Sequence, residues 1–343
     1  MKTPAAILTQ LRSPLEIDEV EIPALDFGQV LVELDVTRIC GSQLGEIDGV
    51  KGPDNWLPHL LGHEAGGTVL ETGPAVTTVK AGDPVVLHWR PGDGIQAAPP
   101  KYGWNGRTVN AGWITTFNKH AVISENRLTP VPAGTSMEIC ALLADTLTTG
   151  FGLVNNDAHL KIGESIVVIG CGGIGLGVVL GAHLAGAHPV IAADLHPHKL
   201  EMASQFGATH TVNCKEADLA ESVLEILGEK PDIVVDGTGN PKVIEAAYEL
   251  TSDRGRTVLF GVMHHEDRVR LHTLPLHFDK VLTGSVGGDS LPASDIPRYI
   301  RMMQDGRFDP AGFVSHRMPL EDINQGIQKM RDGEVIHAMV EFS

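Results

Sequence analysis

The second half of the chain alternates short apolar runs with helical patterns, and this alternation limits the possible folds more than any other feature. From about Ile162 onward, runs such as ESIVVIG, PVIAAD, DIVVDGTG and RTVLFGV are separated by segments such as HKLEMASQFGA and KVIEAAYELT. Buried strands that alternate with helices are typical of a parallel sheet covered on both faces. We therefore predict a doubly wound α/β domain over residues 151–289.

A glycine-rich turn, VVIGCGGIG, joins the first of these strands to its helix, and Asp194 ends the next strand nineteen residues after Gly175. Glycines let a backbone approach a pyrophosphate at a helix N-terminus, and an acid at that distance accepts hydrogen bonds from ribose hydroxyls. This context favours a Rossmann-type NAD site over a ligand-free turn, and the carboxylate disfavours the 2′-phosphate of NADP. The candidate cofactor-binding residues are Gly170, Gly172, Gly173, Ile174, Gly175, Asp194, Lys199 and Thr238.

The first half of the chain has a different pattern. Residues 1–150 contain short alternating runs such as QVLVELDVT and DPVVLHW, which predict an antiparallel β domain. Residues 290–343 contain two amphipathic helical patterns and the apolar run EVIHAMVEF. We assign this last segment to the first domain, so that the α/β domain is inserted into it.

Charge and targeting signals limit the partners. The 343 residues include 26 basic and 43 acidic side chains, a net charge of −17, which disfavours nucleic acid and anionic membrane surfaces as partners. We find no signal-peptide pattern and no uninterrupted apolar run of roughly 18 residues, so a cytoplasmic protein is expected. The four cysteines have no paired spacing, which argues against a disulfide framework.

Three motifs in the first domain contain residue types that bind metals. ICGSQLGEIDG contains Cys40, LPHLLGHEAGG contains His63 and Glu64, and LLADTLTTGFG contains Asp145. Thiolate, imidazole and carboxylate are all ligands of Zn²⁺. Taken one at a time, these residues have simpler interpretations as a buried thiol, a core histidine and a helix cap.

Together and in this order, the motifs resemble the zinc-dependent medium-chain alcohol dehydrogenase family, and the resemblance covers essentially the whole chain. It implies a mostly β, GroES-like catalytic domain around the Rossmann-type domain. It also implies one catalytic Zn²⁺ held by Cys40, His63 and Asp145, with Glu64 as an exchangeable fourth ligand or a neighbouring carboxylate. Many members have cysteine at the third position, and the aspartate is similar to that of the bacterial secondary-alcohol branch. The stretch that holds four cysteines for a structural zinc in many relatives contains none here.

The same resemblance implies hydride transfer between NAD(H) and an alcohol or carbonyl substrate, such as a secondary alcohol, a polyol or cyclitol, or an aldehyde. Ser42 is the candidate proton acceptor, because Gly45 replaces the histidine that liver-type relatives use as a relay. Trp89 is expected beside the substrate, and His337 replaces an arginine that contacts cofactor phosphate in many members.

Family members pair through edge strands of the cofactor domain, so a homodimer or homotetramer is expected through the KVLTGSVGG segment. Two other functions stay open at this stage. One is a zinc-independent quinone or enoyl reductase of the same superfamily, and the other is a non-catalytic cofactor-binding protein of this fold.

Overall fold

The computed structural model describes residues 1–342, which form two compact units. The first comprises Met1–Asp145 and Leu291–Ser343, and the second comprises Thr146–Ser290. At Asp145 the backbone leaves the helical region, with φ −145° and ψ −55°, which ends the preceding helix at the unit boundary.

The regular elements follow in chain order. The strands are β1 (Lys2–Leu8), β2 (Glu16–Glu21), β3 (Gln29–Ile39), β4 (His59–Leu60), β5 (Glu64–Thr72), β6 (Pro84–His88), β7 (Lys101–Trp104), β8 (Arg107–Asn110), β9 (His120–Ser124), β10 (Leu128–Pro130), β11 (Ile166–Ile169), β12 (Val190–Asp194), β13 (His210–Asn213), β14 (Ile233–Asp236), β15 (Arg256–Leu259), β16 (Val281–Gly284), β17 (His316–Pro319) and β18 (Ala338–Glu341). The helices are α1 (Gly41–Asp48), α2 (Met137–Ala144), α3 (Thr146–Gly152), α4 (Gly173–Ala185), α5 (Pro197–Gln205), α6 (Leu219–Leu227), α7 (Pro241–Leu250), α8 (Pro292–Gln304) and α9 (Ile323–Arg331).

The first unit is built from two β structures. Strands β1, β2, β7, β8 and β4 form a closed barrel, and a seven-stranded sheet has the order β10-β6-β5-β3-β18-β17 with β9 also paired to β3. The returning strand β18 pairs antiparallel with β3, opposing Ala338 to Ile39. Two pairs, β17–β18 and β4–β8, are parallel, which differs from the purely antiparallel domain that the alternating runs predict. The β17–β18 pair is parallel because the crossover helix α9 separates its strands, as parallel pairing requires.

The register of the central strands brings several strand ends together. Thr37 of β3 opposes Ala65 of β5, and Glu64 of β5 opposes His88 at the end of β6. Two register shifts bend β3 before it reaches Thr37. The segments that follow β3, precede β5 and follow β6 therefore meet at one edge of the sheet.

The second unit contains a six-stranded parallel sheet in the order β13-β12-β11-β14-β15-β16. The four residues of β11 are all buried, as expected for a central strand covered on both faces. Helices α6 and α7 begin at side-chain caps, where Asp218 accepts from the Glu221 amide and Asn240 from the Lys242 amide. The α/β fold class predicted from the sequence is thus confirmed.

Across residues 1–342, no single helix is long and apolar enough to cross a bilayer, and one bent pair, Met137–Ala144 with Thr146–Asp157, passes the same test.

Candidate functional site

Four side chains that can bind a metal converge in the first unit. Cys40 follows β3 and directly precedes α1, His63 precedes β5, Glu64 is the first residue of β5, and Asp145 follows α2. One donor atom from each lies within 4.8 Å of all the others. The structure thus brings together all four residues that the sequence singled out as metal ligands.

The separations are close to, and slightly longer than, those expected of donors around a single ion. His63 Nε2 lies 3.7 Å from Glu64 Oε1 and 3.5 Å from Asp145 Oδ2, and Cys40 Sγ lies 3.9 Å from Asp145 Oδ2. Zinc bonds of roughly 2.0–2.3 Å in a tetrahedron place neighbouring donors roughly 3.3–3.8 Å apart. The donor set and its spacing therefore fit a zinc ion.

Burial of the acidic side chains favours a cation at this site. Glu64 is fully buried, Asp145 is 6% exposed and Cys40 is 8% exposed. Within residues 1–342, neither carboxylate oxygen of Glu64 has an aligned hydrogen-bond partner. Buried ionised carboxylates are costly unless a cation or hydrogen-bond donors compensate them. Burial accordingly raises the pKa of Glu64, against the opposing effect of Arg38.

Arg38 is the one part of this centre's charge balance that the sequence interpretation missed. It is 1% exposed, and its Nη2 atom lies 2.7 Å from Glu64 Oε1. Burial lowers the pKa of Arg38, but Glu64, with smaller contributions from Cys40 and Asp145, outweighs that effect and raises it overall. The only signal for it in the sequence is a charged residue near the end of a largely buried strand, two positions before Cys40.

His337 contacts the second terminal nitrogen of the Arg38 guanidinium. Arg38 Nη1 donates to His337 Nδ1 at 3.1 Å, and the ring of Phe313 stacks on the imidazole with centroids 5.3 Å apart. Burial, followed by the charge of Arg38, lowers the pKa of His337 well below its ordinary value. The ring is therefore neutral, and its proton lies on Nε2, because Nδ1 must accept from the guanidinium.

Gln43 is a second residue that the sequence interpretation missed. Its Oε1 accepts from the Cys40 amide at 2.8 Å, and its side-chain amide contacts His63 Nδ1. A side chain three positions into α1 thus connects two candidate ligands. Groups that contact the second ring nitrogen of a ligating histidine orient that ring.

Trp89 and Ser42 were predicted as residues of the catalytic site. The Trp89 indole Nε1 donates to Asp145 Oδ1 at 2.8 Å, so Trp89 contacts a candidate ligand directly. Ser42 is the second residue of α1, and its hydroxyl oxygen is buried without a hydrogen-bond partner among residues 1–342. That hydroxyl is available to a substrate.

The predicted cofactor residues lie in the second unit. Gly170 follows β11 with φ +92°, a conformation that favours glycine, and a Cβ on Gly175 would approach Gly170 O to 1.9 Å. Asp194 Oδ2 accepts from the Cys171 amide at 2.8 Å, and Oδ1 accepts from the His196 amide at 2.9 Å. The carboxylate is therefore fixed against the glycine turn, and each oxygen retains lone pairs for further donors.

The other cofactor candidates surround this turn. Gly172 is the N-cap residue of α4, Gly173 and Ile174 begin that helix, and Lys199 lies in α5. Thr238 follows β14, and its Oγ1 donates to Asp236 Oδ1 at 2.7 Å. Its methyl carbon lies 3.6 Å from the Cβ position of Gly170, which sets it beside the turn.

Comparisons with known proteins identify the family of the chain. An alcohol dehydrogenase GroES-like domain model matches residues 26–133, and a zinc-binding dehydrogenase model matches residues 173–305. The S-(hydroxymethyl)glutathione dehydrogenase of Synechocystis sp. is 31% identical over 370 residues, covering 100% of both chains. The chain belongs to the zinc-dependent medium-chain alcohol dehydrogenase family. It is therefore an oxidoreductase of that family, as the sequence motifs predicted.

Two solved structures of this family are similar along their whole length. An alcohol dehydrogenase zinc-binding domain protein from Burkholderia ambifaria has a TM-score of 0.90 at 27% identity, covering 100% of this chain and 99% of that one. The benzyl alcohol dehydrogenase of Acinetobacter calcoaceticus has a TM-score of 0.90 at 25% identity, covering 100% of both chains. The likeness confirms the combination of GroES-like and Rossmann-type domains.

Proposed function

We propose that this alcohol dehydrogenase family member is an NAD-dependent enzyme with one catalytic zinc per chain and no structural zinc. The observation that carries the proposal is the convergence of Cys40, His63, Glu64 and Asp145, with one donor atom of each within 4.8 Å of all the others. Across residues 1–342 this is the one group of three or more such side chains with ligand atoms this close. The zinc-free reductase alternative offers no reason for that convergence.

The chemistry follows from the donor set. Bound zinc supplies Lewis acidity, which lowers the pKa of an alcohol oxygen and polarises a carbonyl. Ser42 would act as a relay: during oxidation its Oγ takes up the hydroxyl proton of the substrate while its own hydroxyl proton passes to water, and the reverse transfer accompanies reduction. Trp89 holds Asp145 through its indole N–H and forms part of the substrate wall. Glu64 either joins the ligand set or stays beside it.

NAD binds in this proposal at the glycine turn of the second unit. Gly172 and Gly173 at the start of α4 would hold the pyrophosphate, because unpaired amides and the helix dipole favour an anion there. Asp194 accepts both ribose hydroxyls of the adenosine. A 2′-phosphate would remove one of those hydroxyls and add charge repulsion, so NAD is preferred over NADP.

The substrate class proposed is a small alcohol or the corresponding carbonyl. The relatives are named for an S-(hydroxymethyl)glutathione adduct and for benzyl alcohol, which differ widely in size and charge. We therefore propose testing secondary alcohols, polyols or cyclitols, and aldehydes alongside these two classes, with reduced-cofactor absorbance as the assay. Turnover of any alcohol with NAD supports the enzyme, whereas full turnover by metal-free protein contradicts the zinc centre.

Metal content provides the independent test. Mass spectrometry on protein purified without chelator should give one zinc per chain, and two zincs per chain would contradict the proposed stoichiometry. This measurement needs no substrate, so it separates failure of the metal assignment from an unsuitable choice of alcohol.

We also propose a cytoplasmic homo-oligomer, a dimer or a tetramer, formed through the cofactor domain. Strand β16 is at the edge of its sheet, and exposed apolar side chains surround it, including Phe278 (66%), Val281 (41%) and Val286 (62%). Unpaired edges with apolar surface favour pairing with a second copy. Sedimentation of a monomer at micromolar concentration would contradict this proposal.

A further inference from the structure

A buried chain of contacts, His337–Arg38–Glu64, leads to the metal centre. Arg38 and Glu64 are 1% and 0% exposed, and His337 is fully buried. A charged pair shielded in this way is costly to build and adds little stability compared with apolar side chains. Its presence beside four candidate ligands calls for a role in that centre.

One oxygen of Glu64 is shared between two neighbours. Oε1 lies 2.7 Å from Arg38 Nη2 and 3.7 Å from His63 Nε2, a separation suited to two donors on one ion. The contact with Arg38 is close but poorly aligned, since neither Nη2 nor Oε1 has a hydrogen bond of good geometry within residues 1–342. Arg38 and a metal therefore compete for the same atom, and alignment does not lock that atom to the guanidinium.

The position of Arg38 is fixed from behind. Its Nη1 donates to His337 Nδ1 at 3.1 Å, while His337 is held by the Phe313 ring and by its backbone carbonyl, which accepts from Ser315 Oγ at 3.0 Å. Arg38 itself lies on β3, opposite Met339 of β18. The guanidinium thus spans from an anchored imidazole to Glu64.

The sum of the charges at the centre also points to a role for Arg38. Cys40, Glu64 and Asp145 bring three negative charges when ionised, and a divalent ion with Arg38 brings three positive ones. Arg38 supplies the one charge that the ion leaves uncompensated, and the carboxylate it faces is Glu64, not Asp145.

We propose that Arg38 is a positioning residue of the metal centre: anchored by His337, it competes with the metal for Glu64 Oε1 and so sets whether Glu64 belongs to the ligand set. The inference rests on the proposed zinc centre. It assigns the control of Glu64 to two residues outside the four candidate ligands.

Zinc release from purified holoenzyme to a chromogenic chelator tests the competition. In Arg38→Met, Glu64 has only the metal as a cationic partner, so zinc should be released about tenfold more slowly than from the unmodified protein. In the double variant Arg38→Met with Glu64→Gln, the Glu64 carboxylate is no longer available to the metal. Zinc release should then be about tenfold faster than from Arg38→Met alone. If Arg38→Met releases zinc as fast as the unmodified protein, or faster, the proposal is overturned.

Absorption of the Co²⁺-substituted protein tests positioning without changing charge. His337→Leu leaves Arg38 in place but removes its anchor, so the cobalt bands should shift from those of the unmodified protein. His337→Gln offers an amide oxygen to Arg38 Nη1 and should restore the original bands. If His337→Leu and His337→Gln give identical spectra, the anchor has no positioning role and the proposal fails. These two variants keep the test decisive if Arg38→Met does not fold.

The zinc content of the unmodified protein separates this failure from failure of the proposed function. Protein without zinc refutes the metal centre itself. If the protein holds one zinc but the Arg38 and His337 variants change neither zinc release nor the cobalt spectrum, only the competition for Glu64 is refuted.

Discussion

Replacing Trp89 by Phe should weaken zinc binding without affecting the cofactor domain. The change removes the indole N–H that donates to Asp145 Oδ1 at 2.8 Å, and Asp145 is only 6% exposed, so water replaces that donor poorly. A hydrogen bond to a charged group contributes about 1.5–3 kcal/mol. Since about 1.4 kcal/mol corresponds to a factor of ten, the zinc dissociation constant should rise roughly ten- to hundredfold.

Competition titration with a chelator of known affinity measures this change. Trp104→Phe is a matched control, because the Trp104 indole also donates to a carboxylate at 2.8 Å, that of Asp18, in the barrel of the same unit. It should lose a comparable hydrogen bond and keep its zinc affinity. Equal zinc affinity in Trp89→Phe and Trp104→Phe would refute the argument that the indole N–H supports the ligand.

Three further predictions test the ligand set, the cofactor and the loop region. Asp145→Ala should lose zinc and turnover together while NAD affinity, measured by fluorescence, stays within about twofold, whereas Asp145→Cys should retain zinc because thiolate is also a zinc ligand. Asp194 should make catalytic efficiency at least about tenfold higher with NAD than with NADP, and a higher efficiency with NADP would contradict its role. Glu125→Gln should destabilise the protein by about 1–3 kcal/mol at pH 7, because its Oε2 accepts from the Ile95 amide at 2.8 Å, where a glutamine would present a donor. Burial raises the pKa of Glu125, but hydrogen bonds from backbone amides outweigh that effect and lower the pKa overall. The stabilisation is therefore present above about pH 4.5 and is lost as the pH falls through the lowered pKa. The urea unfolding midpoints of the two proteins should then converge in acid.

Much of the second unit could be predicted from local sequence. Many of its strands are short apolar runs, two of its helices begin at side-chain caps, and the glycine turn has a strict spacing to Asp194. The order of the six strands agrees with the rule that such alternation forms a parallel sheet. Local sequence patterns suffice to predict this unit because its fold repeats a strand followed by a helix.

The candidate site was only partly predictable, because its members come from distant segments. Cys40, His63 and Asp145 were found through the motifs that surround them, not through any local signal of proximity. Arg38 and His337 are 299 residues apart, and their contact depends on β18 returning to pair with β3. Trp89 was assigned to the substrate wall, while its bond to Asp145 depends on the position of the segment after β6 relative to the end of α2.

The charged groups at this centre depend on one another, so no single residue of the sequence reveals how the site behaves. Without a metal, three acidic groups face one guanidinium in a buried site, so protons must replace the missing positive charge. Burial lowers the pKa of His63, yet its contacts with Asp145 and Cys40 and the charge of Glu64 raise it overall to well above 6.5, and burial raises the pKa of Glu64. Both groups therefore hold protons at a pH where isolated side chains would not, and a metal entering the site must displace them. Apparent zinc affinity consequently increases with pH through that range, and the four residues act as one titrating unit that no single motif describes.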